Sequence, residues 1–130
     1  MIFLKAYGAT AAVFFLVDFL WLTRIAGSFY KREIGAVMLE QPKLGVAALF
    51  YVAYVSGIVV FAVMPAHREQ SVLTASLLGG LLGAIAYGTY DITNYATLRN
   101  WPVAVTILDI AWGAILTSIS AMAGYLFLRI

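Results

Sequence analysis

Three aspartates are the side chains of this sequence that could do chemistry. Asp18 and Asp109 each precede a tryptophan by three positions, and Asp91 lies in the most polar stretch of the chain, residues 87–102 (YGTYDITNYATLRNWP). Carboxyl groups in apolar surroundings can bind a cation or a proton, act as general acid or base, or hold Mg²⁺. Which of these is relevant depends on the elements that position them.

The surroundings of these acids are apolar. Of the 130 residues, 64% are hydrophobic and 11% are charged, whereas soluble domains are about 45–50% apolar and about 25% charged. A domain this small cannot bury so much apolar surface, so lipid must be the solvent of its outer surface. The formal net charge of +2 is too small and too scattered to favour a nucleic-acid partner.

Composition also excludes several kinds of site. The chain has no cysteine and one histidine, His67, which excludes disulfides, thiolate metal sites, iron–sulfur clusters and centres built from several histidines. No two aspartates lie three or four positions apart on one helix, so we predict no metal site. The sequence does not indicate whether the protein binds a cofactor. Ser118 and Ser120 have no neighbouring histidine, so no hydrolase triad is predicted.

Four apolar runs are long enough to span a bilayer, which takes about 20 residues of helix. We predict one all-α membrane domain over residues 1–130, with transmembrane helices at approximately 6–25, 44–64, 72–92 and 103–128. The links between them are short, so neighbouring helices are expected to be antiparallel. Pro65 is expected to end the second helix, because proline interrupts the helical hydrogen bonds.

The longest link, residues 27–43, has apolar residues three or four positions apart, which favours a short interfacial helix between the first two spans. An ordinary loop is the alternative. The third run contains Gly79 and Gly83, a small-residue seam that lets helices approach closely. Close packing within the bundle is the favoured interpretation of this seam, and room for a ligand is the alternative. Small-residue faces of this kind, including Ser120 with Gly124, could also join chains into a homo-oligomer.

If neighbouring helices are antiparallel, all three aspartates lie on one side of the bundle and at similar depth in the membrane. At about 1.5 Å per residue, Asp18 lies about 9 Å before Arg24 and Asp109 about 10 Å after Pro102. A carboxylate at such depth costs about 2.5–3.5 kcal/mol, so each should face the interior and have a partner. Two acids that lie close should share a proton. The predicted cluster on this side comprises Asp18, Trp21, Tyr90, Asp91, Asn94, Arg99, Asp109 and Trp112.

Three interpretations of this cluster remain open. It could be a structural knot in which the acids hold Arg99 and indole N–H groups, a binding or transport site for a cation, proton or amphiphile, or an enzyme site. Trp101, beside Pro102, is expected to be an interfacial anchor. The acid side carries five basic residues, Arg24, Lys31, Arg32, Lys43 and Arg99, against three on the other side. The positive-inside rule therefore favours an orientation in which the aspartates lie toward the cytoplasm and both termini lie on the non-cytoplasmic side.

Three motifs resemble a known family. An early Asp-x-x-Trp-Leu (residues 18–22), a central YDITNYATLRNWP (residues 90–102) and a late Asp-x-x-Trp-Gly (residues 109–113) resemble the small bacterial membrane proteins grouped as domain of unknown function 2177. The likeness covers essentially the whole chain, and the central motif is its most specific part. It implies a four-helix protein of a bacterial inner membrane without an assigned activity, and the family's association with lipid-modification genes favours a lipid-related role.

We therefore predict an integral membrane protein that binds, or assists the handling of, a lipid or other amphiphile, with membrane lipids as its partners. One alternative is a small membrane enzyme or proton-coupled transporter that uses the same aspartates. Another is a purely structural or assembly subunit. The sequence does not decide among them, nor whether the protein is an enzyme.

Overall fold

The protein consists of helices and short connections. The structure is a computed structural model that describes residues 1–130 and contains no strands. Four helices are long and apolar enough to cross a membrane: a first span Ile2–Ile25, a second Leu44–Glu69, a third Val72–Thr97 and a fourth Val103–Leu128. The prediction of an all-α membrane protein with four candidate transmembrane helices is confirmed.

The second span does not end at Pro65 but continues to Glu69. Residues Val59–Val63 form a π-helical turn, and Pro65 then lies in the first turn of the α-helical segment Met64–Glu69. The π-helical turn directly before Pro65 changes the helical hydrogen-bond pattern there, and the helix continues through the proline. Only Gln70, with φ 55°, and Ser71 separate this span from the third.

The third span also runs past its predicted end at residue 92 and continues to Thr97. The link to the fourth span is therefore residues 98–102, and Asn94 and Tyr95 are helical rather than part of that link. The Thr97 hydroxyl donates to the Thr93 carbonyl at 2.8 Å, as helical threonines do. This extension changes which polar side chains can reach the aspartates.

A short helix, Gly27–Ile34, follows the first span, and a 3₁₀ turn, Gly35–Val37, follows it. We call Gly27–Ile34 the connecting helix. It lies where the sequence predicted an interfacial helix; its position at a membrane surface stays a prediction. Its Tyr30 is buried with Ala26, Trp101 and Val105 in a small apolar cluster, so the connecting helix is packed onto the start of the fourth span.

The third and fourth spans form the most extensive helix contact of the protein. A Cβ atom at Gly83 would overlap the carbonyl group of Gly113, and one at Gly79 would lie 2.9 Å from the Thr117 carbonyl oxygen. The glycine seam is therefore used for close packing inside the chain. Gly124 packs against Thr10 of the first span in the same way, so a homo-oligomer, which stays a proposal, would need another surface.

The two halves of the bundle differ. The half near the chain ends is filled by an apolar core that includes Phe14, Ile58, Leu116 and Tyr125, all fully buried. The other half contains the aspartates. In the contact between the third and fourth spans, Ser76 meets Ser118 and Gly83 meets Gly113. Residue numbers therefore increase along one helix while they decrease along the other, so these two spans are antiparallel. The antiparallel order of the whole bundle stays a prediction.

Candidate functional site

A cavity of about 640 Å³ lies in the half of the bundle that carries the aspartates. Ligand sites are usually about 300–1,000 Å³, so it is large enough for a small molecule or part of a lipid. All four spans and the connecting helix contribute to its wall. The three tryptophans of the chain, Trp21, Trp101 and Trp112, all line it.

Six of the predicted site residues meet in this wall: Asp18, Trp21, Tyr90, Asp91, Asp109 and Trp112. The remaining two, Asn94 and Arg99, do not line the cavity. Arg99 is exposed, and the one ion pair of the structure joins Arg32 to Glu33 at 3.7 Å. Arg99 therefore forms no ion pair with the acids in this structure, as the interpretation of a structural knot would require. The third span continues to Thr97, so Arg99 lies in the link between the third and fourth spans.

Tyr30 of the connecting helix links two of these residues. The Trp21 indole N–H donates to the Tyr30 hydroxyl oxygen at 3.2 Å, and the Tyr30 hydroxyl donates to Oδ1 of Asp109 at 2.8 Å. Burial raises the pKa of the Tyr30 hydroxyl, so the hydroxyl keeps the proton that it donates. One chain of hydrogen bonds thus joins the first span, the connecting helix and the fourth span.

A second connection joins the first and fourth spans directly. The Trp112 indole N–H donates to Oδ1 of Asp18 at 3.1 Å. The rings of Trp21 and Trp112 are stacked, with centroids 4.2 Å apart and planes 6° from parallel. The two Asp-x-x-Trp motifs therefore meet across the bundle, and each supplies one ring of the stack.

The backbone at the end of the first span helps to place these groups. Trp21 begins a π-helical turn, Trp21–Ile25, and such turns occur often at functional sites because they redirect side chains. Gly27 follows, and a Cβ atom there would overlap the carbonyl oxygen of Leu22. Only glycine permits this close return of the chain, which brings Tyr30 back toward the cavity.

Asp91 differs from the other two aspartates. Its side chain is fully buried, and neither carboxyl oxygen has a hydrogen-bond partner in the chain. It neighbours Asp109 in the cavity wall. The buried indole N–H of Trp101 also lacks a partner and belongs to the same wall. Buried polar atoms without partners are costly. Of the six in this structure, the two Asp91 oxygens and Nε1 of Trp101 are the ones that belong to the cavity wall, so they are the strongest indication of a binding site.

The cavity borders a gap between the second and third spans. The second span packs against the third through its π-helical turn, Val59–Val63, and the segment Met64–Glu69, whereas Leu44–Ile58 makes little contact with the third span. At the base of this gap the rings of Tyr54 and Tyr87 touch edge to face, with centroids 6.3 Å apart. Nearer the helix ends, Phe50 and Tyr90 line the cavity and are more than half exposed.

Beyond the cavity, the hydroxyls of Thr117 and Ser120 are engaged with the protein, whereas those of Thr10 and Tyr125 are buried without a partner. The hydroxyl of Thr117 is 2.8 Å from that of Tyr54, and the hydroxyl of Ser120 donates to the Leu116 carbonyl of its own helix. Apolar core residues surround them. The apolar core therefore lies between the cavity and the other half of the bundle, which suits binding better than passage across the bundle.

Several residues that line the cavity were not part of the predicted cluster. Tyr87 precedes Tyr90 and Asp91 by three and four positions, the spacing of one helix face, so the sequence held a signal for it. Trp101 was expected to be an interfacial anchor, yet it is 8% exposed and lines the cavity. Tyr30 had no comparable signal, because its role depends on how the connecting helix folds back.

Comparison of the chain with known proteins agrees with the fold. No curated protein and no solved structure matches it. A family model described as "Predicted membrane protein (DUF2177)" matches residues 3–126, nearly the entire chain. The four apolar helices and this match make the protein a multi-pass membrane protein, and the chain belongs to the DUF2177 family of predicted membrane proteins.

Proposed function

We propose that the protein binds one amphiphile, with its polar head among the three aspartates and its apolar chain in the gap between the second and third spans. The observation that carries the proposal is the fully buried, unpartnered carboxyl group of Asp91 in the wall of a cavity of about 640 Å³. A ligand that donates hydrogen bonds there would satisfy a group that the chain leaves unsatisfied.

The distribution of polarity along the cavity supports an amphiphile rather than a polar solute. Its edge includes Leu22, Met38 and Phe50, which are apolar and exposed. In a membrane protein, an exposed apolar edge lies against lipid chains. A ligand with an acyl chain could therefore enter sideways from the bilayer, and its chain would remain in apolar surroundings while its head reached the acids.

A small membrane enzyme that acts on the same amphiphile is the second candidate. It is favoured by Asp91 and Asp109 lying side by side, with neither oxygen of Asp91 bonded to a donor of the chain. A general acid or base needs a carboxyl group within hydrogen-bond reach of the reacting atom. Turnover distinguishes the candidates: a binding protein returns its ligand unchanged, whereas an enzyme releases a product of different mass.

We also propose that the protein lies in a bacterial inner membrane with the cavity toward the cytoplasm and both termini on the opposite side. Five of the eight basic residues lie at the cavity end, and basic residues favour the cytoplasmic side. Alkaline phosphatase fused to the C-terminus should be active and a fused green fluorescent protein dark. The reverse pattern would contradict this orientation.

The binding proposal is tested by closing the cavity. Ala86 lines it, so Ala86→Phe should fill part of it, whereas Ile85→Phe adds the same ring at the neighbouring, exposed position outside the lining. Phospholipids with brominated acyl chains quench nearby tryptophans, and all three tryptophans line the cavity. We expect strong quenching in the wild type and in Ile85→Phe, and weaker quenching in Ala86→Phe.

Native mass spectrometry of the gently purified proteins should give the same order. A bound amphiphile is expected on the wild type and on Ile85→Phe, and it should be absent from folded Ala86→Phe. If the three proteins are quenched equally and carry no amphiphile, the cavity does not bind one. The polar cluster would then be structural.

A further inference from the structure

We infer that the head group of the bound amphiphile is a cation, an ammonium group held by Asp91 among the aromatic rings of the cavity. The inference rests on the proposed function and adds the chemical class of the ligand. It starts from an imbalance of charge. Three carboxyl groups line the cavity, and the one basic residue among the lining residues, Lys31, is exposed.

No cation of the chain balances these acids. The structure has one ion pair, between Arg32 and Glu33, and neither residue lines the cavity. Asp18 and Asp109 each accept one hydrogen bond, from Trp112 and Tyr30, and Asp91 accepts none. An anionic head group would be repelled by such a site. Asp91 and Asp109 lie side by side and should share one proton, yet the site still carries negative charge, which a neutral head group would leave unbalanced. An ammonium group supplies both the charge and the N–H donors.

The aromatic rings around the acids point to the same chemistry. The stacked pair Trp21 and Trp112 lies beside Asp18, and Trp101 meets Tyr90 edge to face with centroids 5.7 Å apart. The faces of tryptophan and tyrosine rings carry partial negative charge, and rings of this kind bind organic ammonium ions in many proteins. Carboxyl groups set among such rings favour an ammonium over an alcohol or a phosphate.

A metal ion fits the site less well than an organic cation. The acids of the cavity do not form a group of three that could hold a metal ion together. Divalent cations need several oxygen ligands at short distance. A larger ammonium ion needs only one or two carboxyl groups and can fill the remaining space by contact with the rings.

The unpartnered indole N–H of Trp101 defines a further feature of the ligand. It is a donor in the same wall as Asp91, so it requires an acceptor that an ammonium group alone does not provide. An ester or phosphate oxygen close to the ammonium group would accept this bond. The structure therefore favours an amine-bearing lipid over a simple alkylamine.

The test compares dodecylammonium, dodecanol and dodecanoate, which share one chain length and differ in head-group charge. They are titrated at about pH 7, where the amine is charged, into protein in uncharged maltoside micelles. The fluorescence of the three cavity tryptophans is the readout. We expect dodecylammonium to bind at least about tenfold more tightly than dodecanol, and dodecanoate to bind most weakly. Ethylammonium, which lacks the chain, distinguishes a soluble amine from a lipid-like one and should bind far more weakly.

Three variants show whether the preference comes from Asp91. Asp91→Asn should bring the affinity for dodecylammonium down to that for dodecanol, and Asp91→Glu should restore part of the preference. Glu40→Gln removes one negative charge from the link outside the cavity lining, and it should leave the preference unchanged.

The outcomes separate this inference from the proposed function. If dodecylammonium and dodecanol bind equally, or dodecanoate binds best, the ammonium inference is overturned while amphiphile binding stands. If Asp91→Asn keeps the full preference for the cation, Asp91 is not the group that recognises it, and the inference fails. If ethylammonium binds as tightly as dodecylammonium, the ligand is a soluble amine. If none of the probes changes the fluorescence, and Ala86→Phe also behaves as the wild type, the proposed function fails with it.

Discussion

The indole rings of Trp21 and Trp112 stack face to face, 4.2 Å apart and 6° from parallel, and each donates its N–H to a different partner. Trp21 donates to Tyr30 and Trp112 to Asp18. The stack therefore couples two hydrogen-bonded groups that would otherwise be separate. It also forms a rigid part of the cavity wall, since neither ring can turn without losing both its stacking contact and its hydrogen bond.

This coupling can be measured with a double-mutant cycle. Trp21→Phe and Trp112→Phe should each lower the free energy of unfolding by about 1–2 kcal/mol, because each removes an N–H donor and part of the stack. Together they should cost less than the sum of the two, by about 0.5–1.5 kcal/mol. Unfolding in mixed micelles gives the three values. Strictly additive losses would mean that the rings contribute independently.

Tyr30→Phe should loosen the connecting helix. The substitution removes the hydroxyl that accepts from Trp21 and donates to Asp109, at a net cost of about 1–3 kcal/mol. Lys31 and Arg32, which follow it directly, are exposed and can be cleaved by trypsin, so cleavage there should become faster. Tyr95→Phe is the matched control, because Tyr95 is half exposed and makes no side-chain hydrogen bond to the protein. Equal cleavage of the two variants would show that the Tyr30 hydroxyl does not hold the connecting helix.

Two neighbouring glycine positions of the third span should respond in opposite ways. In Gly83→Ala the added methyl group would overlap the Gly113 carbonyl. The third and fourth spans must then separate, and about 1–3 kcal/mol of stability should be lost. In Gly80→Ala the nearest atoms lie 4.0 Å away, so the change should be neutral or slightly stabilising, since alanine favours helix. Thermal unfolding in detergent measures both. A similar loss from both variants would contradict the close packing at Gly83.

Asp91 and Asp18 should also differ in their effect on stability, measured on protein freed of bound lipid. Asp91→Leu replaces a buried carboxyl group that has no partner, and it should raise the free energy of unfolding by about 1 kcal/mol or more. Asp18→Leu leaves the Trp112 N–H without its acceptor, and it should lower that free energy by about 1–3 kcal/mol.

If Asp91→Leu destabilises the protein as much as Asp18→Leu does, Asp91 has a structural role that the hydrogen bonds do not show. If Asp91→Leu stabilises the protein while binding of the amphiphile is lost, the aspartate at this position lowers stability and serves ligand binding. Such an exchange is common at functional sites.

The membrane architecture could be predicted from composition and length, because these properties do not depend on how the helices are turned. A chain that is 11% charged and has four apolar runs cannot fold as a soluble domain. The rise of about 1.5 Å per residue sets the depth of Asp18 and Asp109 within their helices. Asp18, Trp21, Asp109 and Trp112 were identified in this way, and all four line the cavity.

What only the tertiary structure decided depends on helix ends and on rotation about helix axes. The third helix continues to Thr97 and carries Arg99 away from the acids, while Gly27 returns the chain so that Tyr30 reaches Asp109. Leu44–Ile58 makes little contact with the third span, which leaves the cavity beside it. Helix ends shift by several residues at little cost in local free energy, and rotation is set by packing against neighbours. Neither is encoded in the apolar period of a helix that is hydrophobic on all sides.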